Sequence, residues 1–443
     1  MVLNPNLVRH WQPIIRAFDP HKPLSTTEIN TLYVEREGSP GRSIAEDLLY
    51  DEDADRLFVM CGSRGSGKST EIARLTESLQ HTRVVVRLDL STALPEPHST
   101  VGLVIVIGLA ALRAHEAWKG DTETHKRITQ GLETALQGLL NEQEPTQRKL
   151  NISDLVASTA GVVAVYSPEP ISKVIAATAA GVAKASQLAW TPGLGKSALD
   201  APDQVSLNIL NAVNTALEAL TTASGRKPLI LADGLDKLTE LESLIQVLNR
   251  PQLLNDLATP LVLTAPINLM HSTEFNAVRQ YAETVPLYNL PVVNPDDDTK
   301  LGTGYANLRE VFAFRKKHHS LTQHWLEDSA LNLLIRFSGG SIRDFIGLIR
   351  DAAKHASRAG KTTIDDDHAQ EAIRELRHRL QFPLTEASIT LLRSVLTKGI
   401  PPGGEEAANL LFQNYILCYP NGDIWYRPHE VLVQWLRQHT PLP

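Results

Sequence analysis

Short, nearly unbroken apolar runs recur along the first two thirds of the chain. They are Arg56–Cys61 (RLFVMC), Thr82–Leu90 (TRVVVRLDL), Pro228–Asp233 (PLILAD) and Leu261–Thr264 (LVLT). Runs of this length, rich in Val, Leu and Ile and bounded by turn residues, predict strands buried on both faces. Between them the period changes. Thr70–Gln80 carries apolar residues at Ile72, Ala73, Leu75 and Leu79, a helical spacing, and Val101–Trp118 and Val205–Ala223 also read as helices. Strands alternating with helices predict an α/β fold whose parallel sheet is covered on both faces. Asp121–Ala185 predicts a long helical insertion, interrupted at Pro145. Tyr33-Val34-Glu35-Arg36-Glu37 reads as a short strand-like pair followed by charges.

Beyond Asn294-Pro295-Asp296-Asp297-Asp298 the pattern is different. Residues 300–380 predict amphipathic helices and no strand. After Phe382-Pro383 come further helical segments, then Asn414–Tyr419, a Pro420-Asn421-Gly422 turn, Asp423–Tyr426 and a last helix, Glu430–Gln438. Asn-Gly between two β-rich runs predicts a hairpin. Helices followed by such a hairpin suggest a winged-helix domain. The expected organisation is therefore a lead-in (1–50), an α/β core (51–294) with a helical insertion at about 121–200, a helical lid (295–380) and a winged helix (381–443).

Composition narrows the picture. The formal net charge of −7 over 443 residues disfavours a protein that coats nucleic acid non-specifically. Two cysteines far apart, Cys61 and Cys418, build neither a disulfide framework nor a zinc site and fit a reducing cytoplasm. Met1–Arg16 has no apolar centre of the signal-peptide type. Val101–Leu112 is about half the length needed to span a bilayer, and Leu155–Trp190 is broken by Ser167–Pro170, Lys173 and Lys184. Both predict buried or partner-facing helices. In the second, Ala176, Ala180 and Lys184 would allow close helix contact.

The strongest chemical signal follows the first strand: Gly62-Ser63-Arg64-Gly65-Ser66-Gly67-Lys68-Ser69. Successive N–H groups of such a turn converge on phosphate oxygens, and the next helix points its N-terminal dipole at the same anion. Lys68 would reach the β- and γ-phosphates, Ser69 would ligate Mg²⁺, and Thr70 completes the binding set. Strand, loop and helix occur in the required order, so the segment predicts a site for ATP with Mg²⁺. Gly193-Leu194-Gly195-Lys196-Ser197 mimics the end of the motif, but Trp190 replaces its first glycine and no strand precedes it. It is expected to be an unrelated loop. Leu229–Asp233 ends in a carboxylate at the sheet edge, where Asp233 would hold the Mg²⁺ shell. Asp236, a short turn later, is the candidate to polarise an attacking water.

Tyr33–Glu37, Gly62–Ser69 and Leu229–Lys237 together resemble the STAND, KAP and origin-recognition-like branches of the AAA+ superfamily. The resemblance implies that the Tyr33–Glu37 box, with Arg36, lies beside the adenine. It implies that Thr264, in Leu261–Pro266, is a polar sensor of the γ-phosphate. It makes Arg343, in Ser338-Gly339-Gly340-Ser341-Ile342-Arg343-Asp344, the sensor arginine of the lid. It makes Arg279 a candidate arginine finger acting on a neighbouring subunit, with Arg250 as competitor. Two departures, Gly234 where AAA+ motors carry Glu and Lys237 where Glu or Arg is usual, point to a slow switch rather than a motor. For KAP proteins the resemblance would place membrane segments near Leu155–Trp190, which is too polar and broken for that role.

The function implied is a slowly hydrolysing regulatory ATPase that controls a protein partner or its own assembly, with antiphage defence among the outputs of such relatives. An origin-recognition-like DNA-binding or loading protein is the alternative, and a nucleotide-stabilised scaffold without turnover is a third. Arg315-Lys316-Lys317-His318-His319 is read as a solvated helix face, with nucleic-acid contact as its alternative. His318, His319 and His324 lack the spacing of a metal site. The aromatic hairpin (Tyr415, Tyr419, Trp425, Tyr426) carries only Arg427 nearby and is expected to favour protein contact.

Overall fold

The computed structural model describes residues 5–52, 55–118, 120–141, 152–159, 162–167, 194–238, 241–401, 403–421 and 423–438. Ala176, Ala180, Lys184 and most of the Leu155–Trp190 segment lie outside these residues. The predicted strands all form: β1 (Leu57–Gly62), β2 (Val84–Asp89), β4 (Pro228–Asp233) and β5 (Leu261–Pro266). With β3 (Val163–Tyr166) and β6 (Ala282–Leu287) they build one six-stranded sheet in the order β3-β2-β4-β5-β1-β6. All neighbours are parallel except β3, which runs antiparallel to β2.

Successive residues of a strand point to opposite faces, and both faces here are apolar. Val59, Cys61, Val84, Val86, Ile230 and Leu263 face one cluster, whose helices are Thr100–Ala117 and Asp203–Ser224. Phe58, Met60, Val85, Leu229, Leu231 and Val262 face the other, packed by Ile72, Leu75 and Leu79 from the Lys68–Leu79 helix and by Ile44 and Leu48 from Pro40–Tyr50. Thr100–Ala117 is long and apolar enough to cross a membrane, yet 83% of its length is buried in this core. Its Ser99 cap, which accepts from Gly102 N, fixes where it starts.

Four readings of the sequence change. Val163–Tyr166, expected within a helical insertion, is an edge strand: Val163 and Val165 are buried while Ala164 and Tyr166 are half-covered. Four alternating residues are outweighed, in a composition-based reading, by the Ala and Gly around them. Strand β6 carries Glu283 and Pro286 and went unpredicted; an edge position tolerates both because one side needs no ladder partner. Tyr33–Arg36 is irregular rather than strand-like, following a helix that Tyr33 N closes on Ile29 O. Leu194–Leu199 is a short helix rather than a loop, and Gly195 packs on the Glu96 backbone.

The lid helices are Gly304–His318, Asp328–Phe337, Ile342–Arg358 and Asp366–Gln381. The C-terminal unit has helices Glu386–Lys398, Glu405–Phe412 and Glu430–Gln438 and the antiparallel pair β7 (Ile416–Asn421) and β8 (Asp423–Pro428). This is the expected winged-helix arrangement. Its aromatic residues, however, are used inside the chain. Tyr415 and Tyr419 are buried, Tyr419 stacks on Trp425 at 4.5 Å and donates to Gly339 O at 2.7 Å, and Tyr426 meets His271 at 3.2 Å. The hairpin thus seats the C-terminal unit on the core and lid. Alternation and aromatic content cannot tell an internal seat from an external one.

Charge locks the same seat. Asp298 accepts from both Arg437 and Arg427, and Arg427 also pairs with Glu430 at 3.0 Å. The hydrogen bonds from Arg437 and then Arg427 hold the Asp298 carboxyl below its ordinary value. A lowered folded-state pKa adds stability above the unfolded value of about 3.9, and that stability is lost as pH falls through the folded value. Asp298→Asn is therefore expected to destabilise the protein at neutral pH and to flatten its acid-side stability loss. Melting temperature measured from neutral pH down to about pH 3 checks both, since the window lies below the unfolded carboxyl pKa.

Candidate nucleotide site

Strand β1 is flanked by β5 and β6 and delivers the glycine-rich loop to the C-terminal edge of the sheet. Ligands of open α/β sheets bind at that edge. The loop turns through Gly65 (φ 81°) and Gly67 (φ 107°), backbone that side-chain-bearing residues rarely adopt. Gly67 then caps the helix that starts at Lys68. Lys68 is buried, donates to Gly62 O and Ser63 O at 2.8 and 2.9 Å, and pairs with Asp236 at 3.0 Å.

Sheet register explains the carboxylates. Met60 pairs with Thr264 and Ala232 with Leu263, so Asp233 comes out one strand beyond Thr264. Ser69 Oγ donates to Asp233 Oδ2 at 2.7 Å, and Thr264 Oγ1 donates to Asp233 Oδ1 at 2.6 Å. Thr264 also accepts from Gly234 N at 3.0 Å, which fixes its hydroxyl rotor. A 3₁₀ turn, Leu235–Lys237, then brings Asp236 back over the loop. Burial alone would raise the Asp236 carboxyl, but the charge and hydrogen bond of Lys68 hold it below its ordinary value. Lys237 points away to Asp89 at 3.3 Å.

A second network supports the loop from the Tyr33–Glu37 side. Glu71, in the first turn of the Lys68–Leu79 helix, is buried. It accepts from Ser39 Oγ (2.7 Å), Gly41 N (3.1 Å), Tyr33 OH (3.2 Å) and Arg36 (3.4 Å). Burial, and then the Glu71 charge, push the Tyr33 phenol up to about 12. Arg36 goes on to donate to Ser66 O at 3.0 Å and Tyr288 O at 3.3 Å. Beside this network Leu32, Val34, Leu290 and Ile342 line a cleft that Asn307 and Arg315 of the lid also border. Glu71 was not singled out from the sequence, although it sits four residues before Leu75 and eight before Leu79. A carboxylate on a buried stripe is a readable signal.

The remaining candidates divide. Arg343 N donates to Gly65 O at 3.3 Å, so the start of the lid helix rests on the loop, while the Arg343 side chain is exposed and in no ion pair among the described residues. Arg279 is exposed, donates to Met270 O at 2.8 Å and lies over the Phe275 ring. Neither group ties it to the loop. Arg250 is committed to Ser206 at 2.8 Å and Asp203 at 3.7 Å. Arg64 reaches outward from the loop: its guanidinium donates to Asp236 O at 3.1 Å and stacks over Phe412 at 4.3 Å, and its carbonyl accepts from Asn414 at 2.6 Å. Those two C-terminal contacts were not legible in the sequence. In the lid, Arg315 is buried and donates to Ala17 O, whereas Lys316, Lys317 and Arg309 line one open groove.

No family model matches the sequence, and no curated protein does. Solved structures with a related trace include the Aeropyrum pernix ORC2 protein in its ADPNP–ADP complexes, at 12% identity over 95% of this chain and 96% of that one, with a TM-score of 0.43. A point mutant of Thermotoga maritima RuvB matches at 12% identity over 95% and 100%, with a TM-score of 0.39. The Aeropyrum pernix ORC1 protein in complex with DNA matches at 12% identity over 92% and 93%, with a TM-score of 0.38. At these scores the likeness bears on neither activity nor partner.

Proposed function

We propose that this chain binds ATP with Mg²⁺ at the loop Gly62–Ser69 and hydrolyses it slowly, as a switch that controls a partner or its own assembly. The observation that carries the reading is the Ser69–Asp233–Thr264 chain of hydrogen bonds at the mouth of the loop. A hydroxyl and a carboxylate converging there are hard oxygen donors and suit Mg²⁺, which Ser69 and Asp233 would hold. The ion would supply charge neutralisation to the β- and γ-phosphates. Lys68 lies at the base of the loop to bind the same phosphates, and Thr264, whose hydroxyl proton goes to Asp233, would orient that carboxylate toward the ion.

Slow turnover is supported by the state of Asp236. Its carboxylate is paired with Lys68 and held ionised, and Gly234 supplies no carboxylate between it and Asp233. Switching is supported by the lid helix, whose first turn rests on Gly65 and carries Arg343, in no ion pair among the described residues. A guanidinium there would bind a triphosphate more tightly than a diphosphate, which is the differential contact a two-state device needs. The resemblance to AAA+ signalling branches adds the expectation of a protein partner, with Arg279 acting between subunits.

Measured phosphate release should be low but real for the native chain and lost in Asp236→Ala. Absent turnover, with ATP still raising the melting temperature, would leave only a nucleotide-stabilised scaffold. One observation favours a second reading, ATP-governed DNA binding: Lys316 and Lys317 share a groove of the lid, which also holds Arg309 paired with Asp328 at 2.9 Å. A salt titration of DNA affinity separates it, since phosphate contacts impose a steep salt dependence.

A further inference from the structure

Resting on the nucleotide site proposed above, we infer that Asn414 and Phe412 of the C-terminal unit are positioning residues of the phosphate loop, acting through Arg64. Arg64 lies within the loop, and both its side chain and its carbonyl are held by residues outside the loop. Its guanidinium is fixed between Asp236 O (3.1 and 3.3 Å) and the Phe412 ring (4.3 Å). Its carbonyl is fixed by the Asn414 side-chain amide at 2.6 Å. A peptide carbonyl and the N–H of the following residue point in opposite directions. Holding the Arg64 carbonyl toward Asn414 therefore turns the Gly65 N–H away from the C-terminal unit and fixes the peptide plane that an anion nest in this loop would use.

The contact has a specific design on the partner side. Asn414 adopts a left-handed backbone (φ 63°), which Asn tolerates better than most residues. It sits at the corner between the Glu405–Phe412 helix and β7, with its N–H on Leu411 O and Tyr415 N on Leu410 O. The corner is thereby rigid, and the same unit is anchored independently through Tyr419 on Gly339 and Arg427 on Asp298. Phosphate binding and docking of the C-terminal unit are linked through one loop residue. By linkage each must strengthen the other by the same factor. A partner that lifts the C-terminal unit would release nucleotide without touching it.

The test uses the full chain and a fluorescent ATP analogue. Asn414→Gly keeps the left-handed backbone and removes only the amide; Phe412→Leu keeps an apolar side chain and removes the ring. Each is expected to raise Kd about fivefold to tenfold, the scale of one lost hydrogen bond or cation–π contact, with the melting temperature of the nucleotide-free chain nearly unchanged. Arg64→Ala removes the Phe412 contact together with the Asp236 hydrogen bonds, so adding Phe412→Leu to Arg64→Ala should weaken binding no further. In the native chain the nucleotide should slow hydrogen exchange at residues 412–415. Unchanged Kd in both variants, while Lys68→Ala abolishes binding, overturns the positioning role and leaves the nucleotide site standing. A native chain that fails to bind the analogue overturns both.

Discussion

Lys68→Ala is expected to remove the stabilisation of this protein by ATP and to lower turnover by at least about a hundredfold, the scale seen when one electrostatic stabiliser of a transition state is deleted. Lys68 is the only ammonium that reaches the loop's own carbonyls among the described residues, and it is buried in that position. The loss should appear first in binding. A ligand at a hundred times its Kd adds about 2.7 kcal/mol to stability, and a variant that does not bind gains none. A thermal-shift series with and without ATP reads this directly. The substitution has a second, independent signature. In the native chain Lys68 keeps the Asp236 carboxyl below its ordinary value, so that group contributes stability above the unfolded carboxyl pKa and loses it as pH falls through the folded value. Without Lys68, burial is left as the main influence on Asp236 and drives its pKa up. The sign then reverses, and Lys68→Ala should gain stability relative to the native chain as pH is lowered from neutral. Adding Asp236→Asn to Lys68→Ala should abolish that pH dependence. A double variant that keeps it would show that another group is titrating.

How much of this site was readable beforehand follows from the range of the interactions. The loop, its strand and its helix are local: glycine placement, a six-residue apolar run and a helical period all lie within Leu57–Leu79. The pairing of Ser69 with Asp233 is long-range, yet it follows once the central strands are recognised, because parallel register brings both strand ends to one edge. The Arg36–Glu71 network was half visible. Arg36 was implicated by resemblance, and Glu71 betrays itself by its place on a buried stripe, but Ser39 and Gly41 could be linked to it only by the fold. The contacts of Asn414, Phe412 and Tyr419 lay beyond reach. They depend on how the C-terminal unit docks, and docking is set by shape and by buried pairs such as Arg427–Asp298, which have no periodic signature. The short edge strands β3 and β6 escaped for a related reason. An edge strand buries less, so its sequence is less constrained to be apolar.

Gly340→Ala should be the most destabilising single methyl that can be added to this protein's lid. Gly340 has φ 77°, and a Cβ there would fall 1.7 Å from Leu290 O, a backbone atom that cannot rotate aside. Left-handed backbone costs alanine about 1–2 kcal/mol, and forced displacement of packed backbone about 1–3 kcal/mol more. The combined cost of roughly 2–5 kcal/mol is a large share of a typical domain's stability. The displaced atoms also belong to a junction. Leu290 N donates to Gly340 O at 3.2 Å, the neighbouring Gly339 O accepts from Tyr419, and the lid helix that rests on the loop begins two residues on, at Ile342. Core, hairpin and lid therefore move together when this turn moves. Two comparisons isolate the cause. Gly360→Ala shares the left-handed backbone (φ 74°) but meets open space, so it should cost only the conformational share, about 1–2 kcal/mol. Gly339→Ala (φ 59°) meets the tip of the Leu417 side chain at 2.5 Å, which can swing away, and should fall between the two. Denaturant unfolding of the three variants gives the order directly. Equal losses for Gly340→Ala and Gly360→Ala would mean that the Leu290 backbone yields freely, and the turn would then be too soft to transmit nucleotide binding from the loop to the C-terminal unit by this route.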